Sequence, residues 1–194
     1  MSNPSLILVL AEDQRQQQLI YRFPVLAGIR PHQLSFQLSP SGRGSAEQWV
    51  RENFARLAAK CRARNARAST GMLALIDADN RSVEERRNEL DRGLESIGHH
   101  PIDPNRDPIA RLIPRRNIET WILYLSSSAT ARPEVNETQD YKREKSAQEW
   151  SALIPRASEE LYALTRSSIT LPGNLIDSLR LGIEEIPRAI TAAR

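Results

Sequence analysis

Three short runs of almost unbroken apolar residues constrain this chain more than anything else in it: "LILVL" (6–10), "MLALI" (72–76) and "IARLI" (109–113). A strand that is apolar on both sides must be covered on both faces, which is the habit of a parallel sheet held between helices. The segments between the runs supply the helices. "EDQRQQQLIYRFPVLAG" sets Leu19, Ile20 and Phe23 on neighbouring helical positions and ends at Gly28, with Pro24 predicting a kink or an early stop. "HQLSFQLS" (32–39) alternates Leu34, Phe36 and Leu38 with polar residues, the pattern of a half-buried strand. Ser45 and Gln48 open a helix from 46 to about 66, with Trp49, Val50, Phe54, Leu57, Ala58 and Cys61 on one side and arginines on the other. Ser82 and Glu85 form a capping box for a helix that runs through Val83, Leu90 and Leu94 to Gly98. "RNIETWILYL" follows the last apolar run as a helix, with Asn117 as its cap.

Strand and helix therefore alternate four times. That order predicts an α/β fold with a mainly parallel four-stranded sheet flanked by helices, over residues 1–126. Past Leu125, "SSSATARPEVNETQD" predicts a linker or mobile loop, assigned to 127–139. Residues 140–194 read as a helical extension interrupted at Pro155, Pro172–Gly173 and Pro187. Its Leu175, Leu179, Ile183, Ile186 and Ile190 make an amphipathic stripe, suited to packing on the domain or, as the alternative, to a homodimer or partner surface.

Composition excludes several classes. No run approaches the roughly 20 apolar residues needed to span a bilayer, so no membrane association is expected. "MSNPSLILVL" lacks the basic start of a signal peptide, and a lone cysteine, Cys61, leaves no internal disulfide framework. A cytoplasmic protein is the expectation. The glycines of "PSGRGS" lack P-loop spacing, and His32, His99 and His100 lack the partners of a zinc site. Net charge is +3, but residues 43–67 hold seven basic residues against two acidic ones, and 106–116 four arginines against one aspartate. Such local excess attracts phosphates, or else forms a solvated helix face.

In a parallel sheet the working residues gather at the carboxyl ends of the strands. Glu12 and Asp13 follow the first apolar run, Asp77 and Asp79 the one at 72–76, and Glu119 opens the helix after the last. Residues two apart on an extended segment point the same way, so Asp77 and Asp79 can face one ion together. Crowded carboxylates repel unless neutralised, and a hard divalent cation, Mg²⁺ or Mn²⁺, is the economical partner. Two such ions roughly 3.5–4 Å apart suit phosphodiester cleavage. Acidic residues after strands also cap helices, which is the plainer account of each taken singly.

"LILVLAED" with Glu12, and "LALIDAD" with Asp77 and Asp79, resemble the Toprim fold of topoisomerases, primases and OLD-type nucleases. "LIPRRNIETWILYL" followed by "DYKREK" is similar to the small RloB-like Toprim proteins of bacterial defence loci, and the likeness spans roughly residues 5–145. Asp13 stands where the family usually has glycine. The resemblance implies a metal-dependent nuclease. Glu12 would be a metal ligand or general base, Asp77 and Asp79 metal ligands, and Glu119 the ligand completing a second metal position. Lys142 would stabilise charge on the phosphate, and an ATPase partner subunit is implied too. Arg43, Arg115, Arg116 and the basic helix are the candidates for gripping the DNA or RNA backbone. Two other readings remain open: a non-catalytic Toprim-shaped scaffold binding nucleic acid or protein, and a receiver-like signalling domain. The receiver would need a lone aspartate after the third strand and a threonine or serine after the fourth.

Overall fold

The protein is described by a computed structural model covering residues 5–40, 45–127, 134–166 and 170–193. Its strands are β1 (Leu6–Ala11), β2 (Leu34–Leu38), β3 (Thr70–Leu75) and β4 (Ile109–Leu112). Its helices are α1 (Gln14–Leu26), α2 (Ala46–Asn65), α3 (Val83–Ser96), α4 (Ile118–Ser126), α5 (Ala147–Leu164) and α6 (Asp177–Ala192). The strands form one all-parallel sheet in the order β2-β1-β3-β4. The expected α/β class, of Rossmann or Toprim-like type, is the observed one.

Alternation along the strands feeds two cores. Ile7, Val9, Leu73, Leu75, Ala110 and Leu112 face one side with residues of α1, α4, α5 and α6, while Leu8, Leu10, Met72, Ala74 and Ile109 face α2 and α3. Each of the larger of these side chains contributes about 1.5–3 kcal/mol by leaving water. Helix ends fall where the sequence marks them: Gly28 and Gly98 take φ of +87° and +78° after α1 and α3, a conformation that glycine adopts without strain. Ser45, Ser82 and Ser146 cap their helices through their hydroxyls.

The carboxyl-terminal segment departs from expectation. Pro155 and Pro187 do not interrupt it: α5 and α6 run straight through them, as α1 runs through Pro24. A proline inside a helix costs about 3 kcal/mol or more in lost hydrogen bonding and clash. Here the apolar faces around each proline are buried, which offsets that cost. The stripe Leu175, Leu179, Ile183, Ile186 and Ile190 lies in the core with β3, β4 and α4, so it is not available as a dimer surface. Trp121 donates its indole N–H to Ser178 Oγ of α6 at 2.8 Å. Part of the expected linker is also tied down. Glu137 accepts the backbone N–H groups of Asp177 and Ser178, at 3.0 and 3.1 Å, capping α6 from outside the helix.

Gly71 shows how closely α6 sits on the sheet. A methyl group added there would lie 1.9 Å from the carbonyl oxygen of Ala189. Gly71→Ala is therefore expected to lower stability by about 3 kcal/mol, read as a lower denaturant midpoint. Gly93→Ala in α3, where the new methyl meets only Ala55 at 3.7 Å, gains up to about 1 kcal/mol. Equal midpoints for the two variants would remove α6 from this position.

Candidate functional site

β1 continues into β2 on one side of the sheet and the chain then returns to β3 on the other side of β1. The carboxyl ends of β1 and β3 thus mark the topological switch point, where α/β sheets open a crevice. Glu12 leaves β1 there and Asp77 leaves β3. Glu12 Oε1 accepts the backbone N–H of Asp77 at 2.7 Å, so a side chain extends the β1–β3 ladder past the last paired residues. The β3–β4 ladder also continues, with Ala78 N–H donating to the Pro114 carbonyl at 2.9 Å. These bonds hold the Asp77–Ala78–Asp79 turn. Asp79 sits at φ 56°, an uncommon conformation for a side-chain-bearing residue and one that tends to occur at functional sites.

Asp77 is nearly inaccessible, at 2% exposure. Its Oδ1 accepts from Gln16 Nε2 at 3.0 Å, and its Oδ2 faces Lys142 Nζ at 3.4 Å. Gln16 is itself buried and takes the backbone N–H of Glu12 on Oε1 at 2.8 Å, so one amide locks both carboxylate-bearing turns. Glu119, in the first turn of α4, is wholly buried. One of its oxygens is paired with Arg15 Nη1, and the other, Oε2, has no hydrogen-bond partner among the described residues. Lys142 is delivered by the segment before α5, where Asp140 accepts from Asn117 Nδ2 at 2.9 Å and from the Lys142 backbone N–H at 3.0 Å. Tyr141 between them is buried.

Asp13, at the position usually held by glycine, is the N-cap of α1 and accepts the Gln16 backbone N–H at 2.9 Å. Its φ is −142°, so the turn asks for no glycine here. Arg115 and Arg116 follow β4. Arg116 Nη1 contacts Asn80 Oδ1 and Arg115 Nη1 contacts the Arg81 carbonyl. Both arginines line a pocket of about 310 Å³ with Asp79, Asn80, Thr138 and Asp140. Arg43 lies outside the described residues. Of the basic helix only the first turns come near the site, where Glu47 pairs with Arg86, which also reaches the Ala78 carbonyl, and Arg51 is engaged by Glu47 and Glu89. α2 leads directly back to the start of β3, so its last turns lie at the opposite end of the sheet, where Arg62 pairs with Asp107 and the carbonyls of His100 and Pro101. Cys61 is buried against β3 and pushed up to about 12 by burial, so it is no nucleophile.

Charge at the switch point is poorly balanced. Burial, then the charge of Asp79, raises Glu12 to about 7 against the stabilising backbone hydrogen bond from Asp77. Burial and the Glu12 charge lift Asp77 well above the usual carboxylate range. Burial pulls Lys142 down, but Asp77, Glu119 and Asp79 outweigh it and raise its affinity for the proton. Lys142 and Arg15 together face four carboxylates, of which Asp77 and Glu119 are buried and Glu12 and Asp79 partly buried. Hard oxygen donors, an orphaned Glu119 Oε2 and carboxylates that struggle to ionise suit a divalent cation held by one or two carboxylates and water. Among the described residues, however, no three histidine, cysteine, aspartate or glutamate side chains are arranged to hold an ion, and both oxygens of Asp77 are already engaged by Gln16 and Lys142. Among the described residues no helix is long and apolar enough to cross a membrane.

Arg15 and Gln16 escape notice in the sequence, since "QRQQQ" reads as a solvated helix face; the Asp13–Gln16 spacing of three, that of an N-cap and a glutamine at N3, was the available signal. Compared with known proteins, the chain matches no family model, no curated protein and no solved structure.

The raised Glu12 gives a pH dependence of definite sign. Between its ordinary value of 4.5 and about 7 it keeps a proton in the folded protein that the unfolded chain has lost, so stability falls as pH rises through that window. Asp107, Glu85 and Glu149 are shifted downward, and their opposite contribution is complete at lower pH. The melting temperature of metal-free protein should therefore drop between about pH 5 and pH 8, and Glu12→Gln should make the profile shallower, leaving the part of the same sign that the raised Asp77 contributes. A flat wild-type profile would contradict the burial of this carboxylate.

Proposed function

We propose that this chain is a metal-dependent phosphodiesterase acting on DNA or RNA, of the Toprim-like kind whose motif residues it resembles. The observation that carries this reading is the meeting of Glu12, Asp77 and Lys142 at the switch point, with Asp79, Arg115 and Arg116 lining the adjoining pocket. Glu12, Asp77 and Asp79 would hold Mg²⁺ or Mn²⁺, with Glu119 as the donor for a second position. Such an ion supplies Lewis acidity and a more acidic bound water. Where Glu12 stays off the ion, it would instead be the general base that takes the proton of the attacking water. Lys142 leaves Asp77 for the phosphate as negative charge develops there. Arg115 and Arg116 orient the non-bridging oxygens, since each guanidinium keeps donors beyond the one it uses on Arg81 or Asn80. The setting that the resemblance implies is a bacterial antiviral defence effector, or a subunit of one beside an ATPase.

Lys142 standing on Asp77 favours a second reading, a non-catalytic scaffold in which the ammonium permanently replaces the ion. A receiver-like domain would also want that lysine contact, but Asp79 follows two residues on, and Ile113, Pro114 and Arg115 rather than a hydroxyl residue follow β4.

Plasmid DNA and total tRNA incubated with the protein in Mn²⁺ separate these readings. Wild type should cleave one of them, Asp77→Ala/Asp79→Ala should lose the activity, and Glu12→Gln should retain about 10²–10⁴-fold less. Equal cleavage by wild type and double mutant would remove the site from the chemistry. No cleavage by any of them, with no heat of Mn²⁺ binding, would establish the scaffold.

A further inference from the structure

The two edges of the sheet are treated differently. At β4, the register turns the backbone groups of Ile109 and Arg111 outward, and α6 covers them. Glu185 Oε2 accepts the Arg111 backbone N–H at 2.7 Å, and Arg188 Nη2 reaches the Ile109 carbonyl at 3.5 Å. That edge is closed to another strand. At β2, Ser39 N–H donates inward to the Ala11 carbonyl, so by alternation Ser35 and Gln37 also bond β1. Phe36 and Leu38 then direct their amides outward, and Leu34 and Phe36 their carbonyls. None of these groups has a partner among the described residues, whereas the Leu34 amide is taken by the Pro31 carbonyl. β2 also carries none of the usual edge protections, having no charge, no proline and no bulge.

We infer that β2 is a self-association edge, pairing antiparallel with β2 of a second copy of this chain about a twofold axis through Phe36. The sequence "LSFQL" argues for a copy rather than an unrelated strand, because its pattern reads the same in both directions about Phe36. Antiparallel pairing there sets Phe36 opposite Phe36, Leu34 opposite Leu38 and Ser35 opposite Gln37. The hydrogen bonds match as well. The two Phe36 residues exchange amide and carbonyl, and each Leu38 amide meets a Leu34 carbonyl, so the engaged Leu34 amide is not needed. Beside this edge α1 leaves Tyr21, Val25 and Leu26 about two-fifths exposed, and the Tyr21 ring lies 5.9 Å from that of Phe36. Tyr21 and Val25, four residues apart, share one helix face. In the pair, the two α1 helices flank the seam on one side of a sheet continuous across both chains. The two switch points then open at opposite ends of that sheet.

A charge pairing tests the register. Light scattering on the eluting full-length protein should give twice the 21.9 kDa chain mass for wild type. Ser35→Lys/Gln37→Lys sets like charges across the axis and should weaken the dimer about tenfold or more. Ser35→Lys/Gln37→Glu sets opposite charges there and should keep it. Circular dichroism on both variants controls for folding, and Phe36→Lys, which sets two lysines opposite each other on the axis, replaces the like-charge variant if that one does not fold. Wild type running as a monomer, or variants of either charge pattern dimerising equally well, would overturn the proposal; so would a wild-type monomer that recruits only an extended peptide at β2.

Discussion

The pairing of β1 with β3 carries the rest of this molecule. These are the two central strands, buried on both faces, and their register from Leu6↔Thr70 to Leu10↔Ala74 decides what meets beyond their ends. A slip of one residue would turn every side chain to the other face and part Glu12 from the Asp77 amide. The covering layers serve that pairing. Gly71 admits the α6 backbone onto β3, and Ser158 of α5 donates to the Leu19 carbonyl of α1 at 3.0 Å, so the helices seal the sheet closely enough to bury ionisable groups above it.

Burial creates the chemistry and the difficulty together. Carboxylates at a dry sheet edge cost several kcal/mol unless partnered. The fold supplies partial answers: the Asp77 amide for Glu12, Gln16 and Lys142 for Asp77, and Arg15 for one oxygen of Glu119. The amino ends of α1, α3 and α4, which follow β1, β3 and β4, add favourable dipoles at the same edge. What stays uncompensated, the orphaned oxygen of Glu119 and the protonation of Glu12 near neutrality, is an affinity for positive charge built into the sheet.

Much of this was legible in advance because it is local. Apolar runs reveal strands, and glycines and hydroxyl caps reveal helix ends, since each depends on a few adjacent residues. The prolines misled for the same reason. Pro155 and Pro187 break helices by local rules, yet packing against distant elements outweighs them. Gln16 was invisible among glutamines because its role needs Asp77, far away in the chain. The arginines of α2 were legible as a basic stretch, but not that its last turns, with Arg62, lie at the far end of the sheet, since where a helix ends relative to the sheet is a matter of topology.

By itself the sequence determined the α/β class, the parallel strands and the presence of acidic residues just past strand ends, because periodicity and capping are written in neighbouring residues. The tertiary structure alone decided that Lys142 stands on Asp77, that Arg15 holds Glu119, and that α6 belongs to the core and closes one edge of the sheet while β2 stays open. Those contacts join residues tens of positions apart, and their geometry follows from register, close packing and the desolvation of charge, none of which a linear pattern contains.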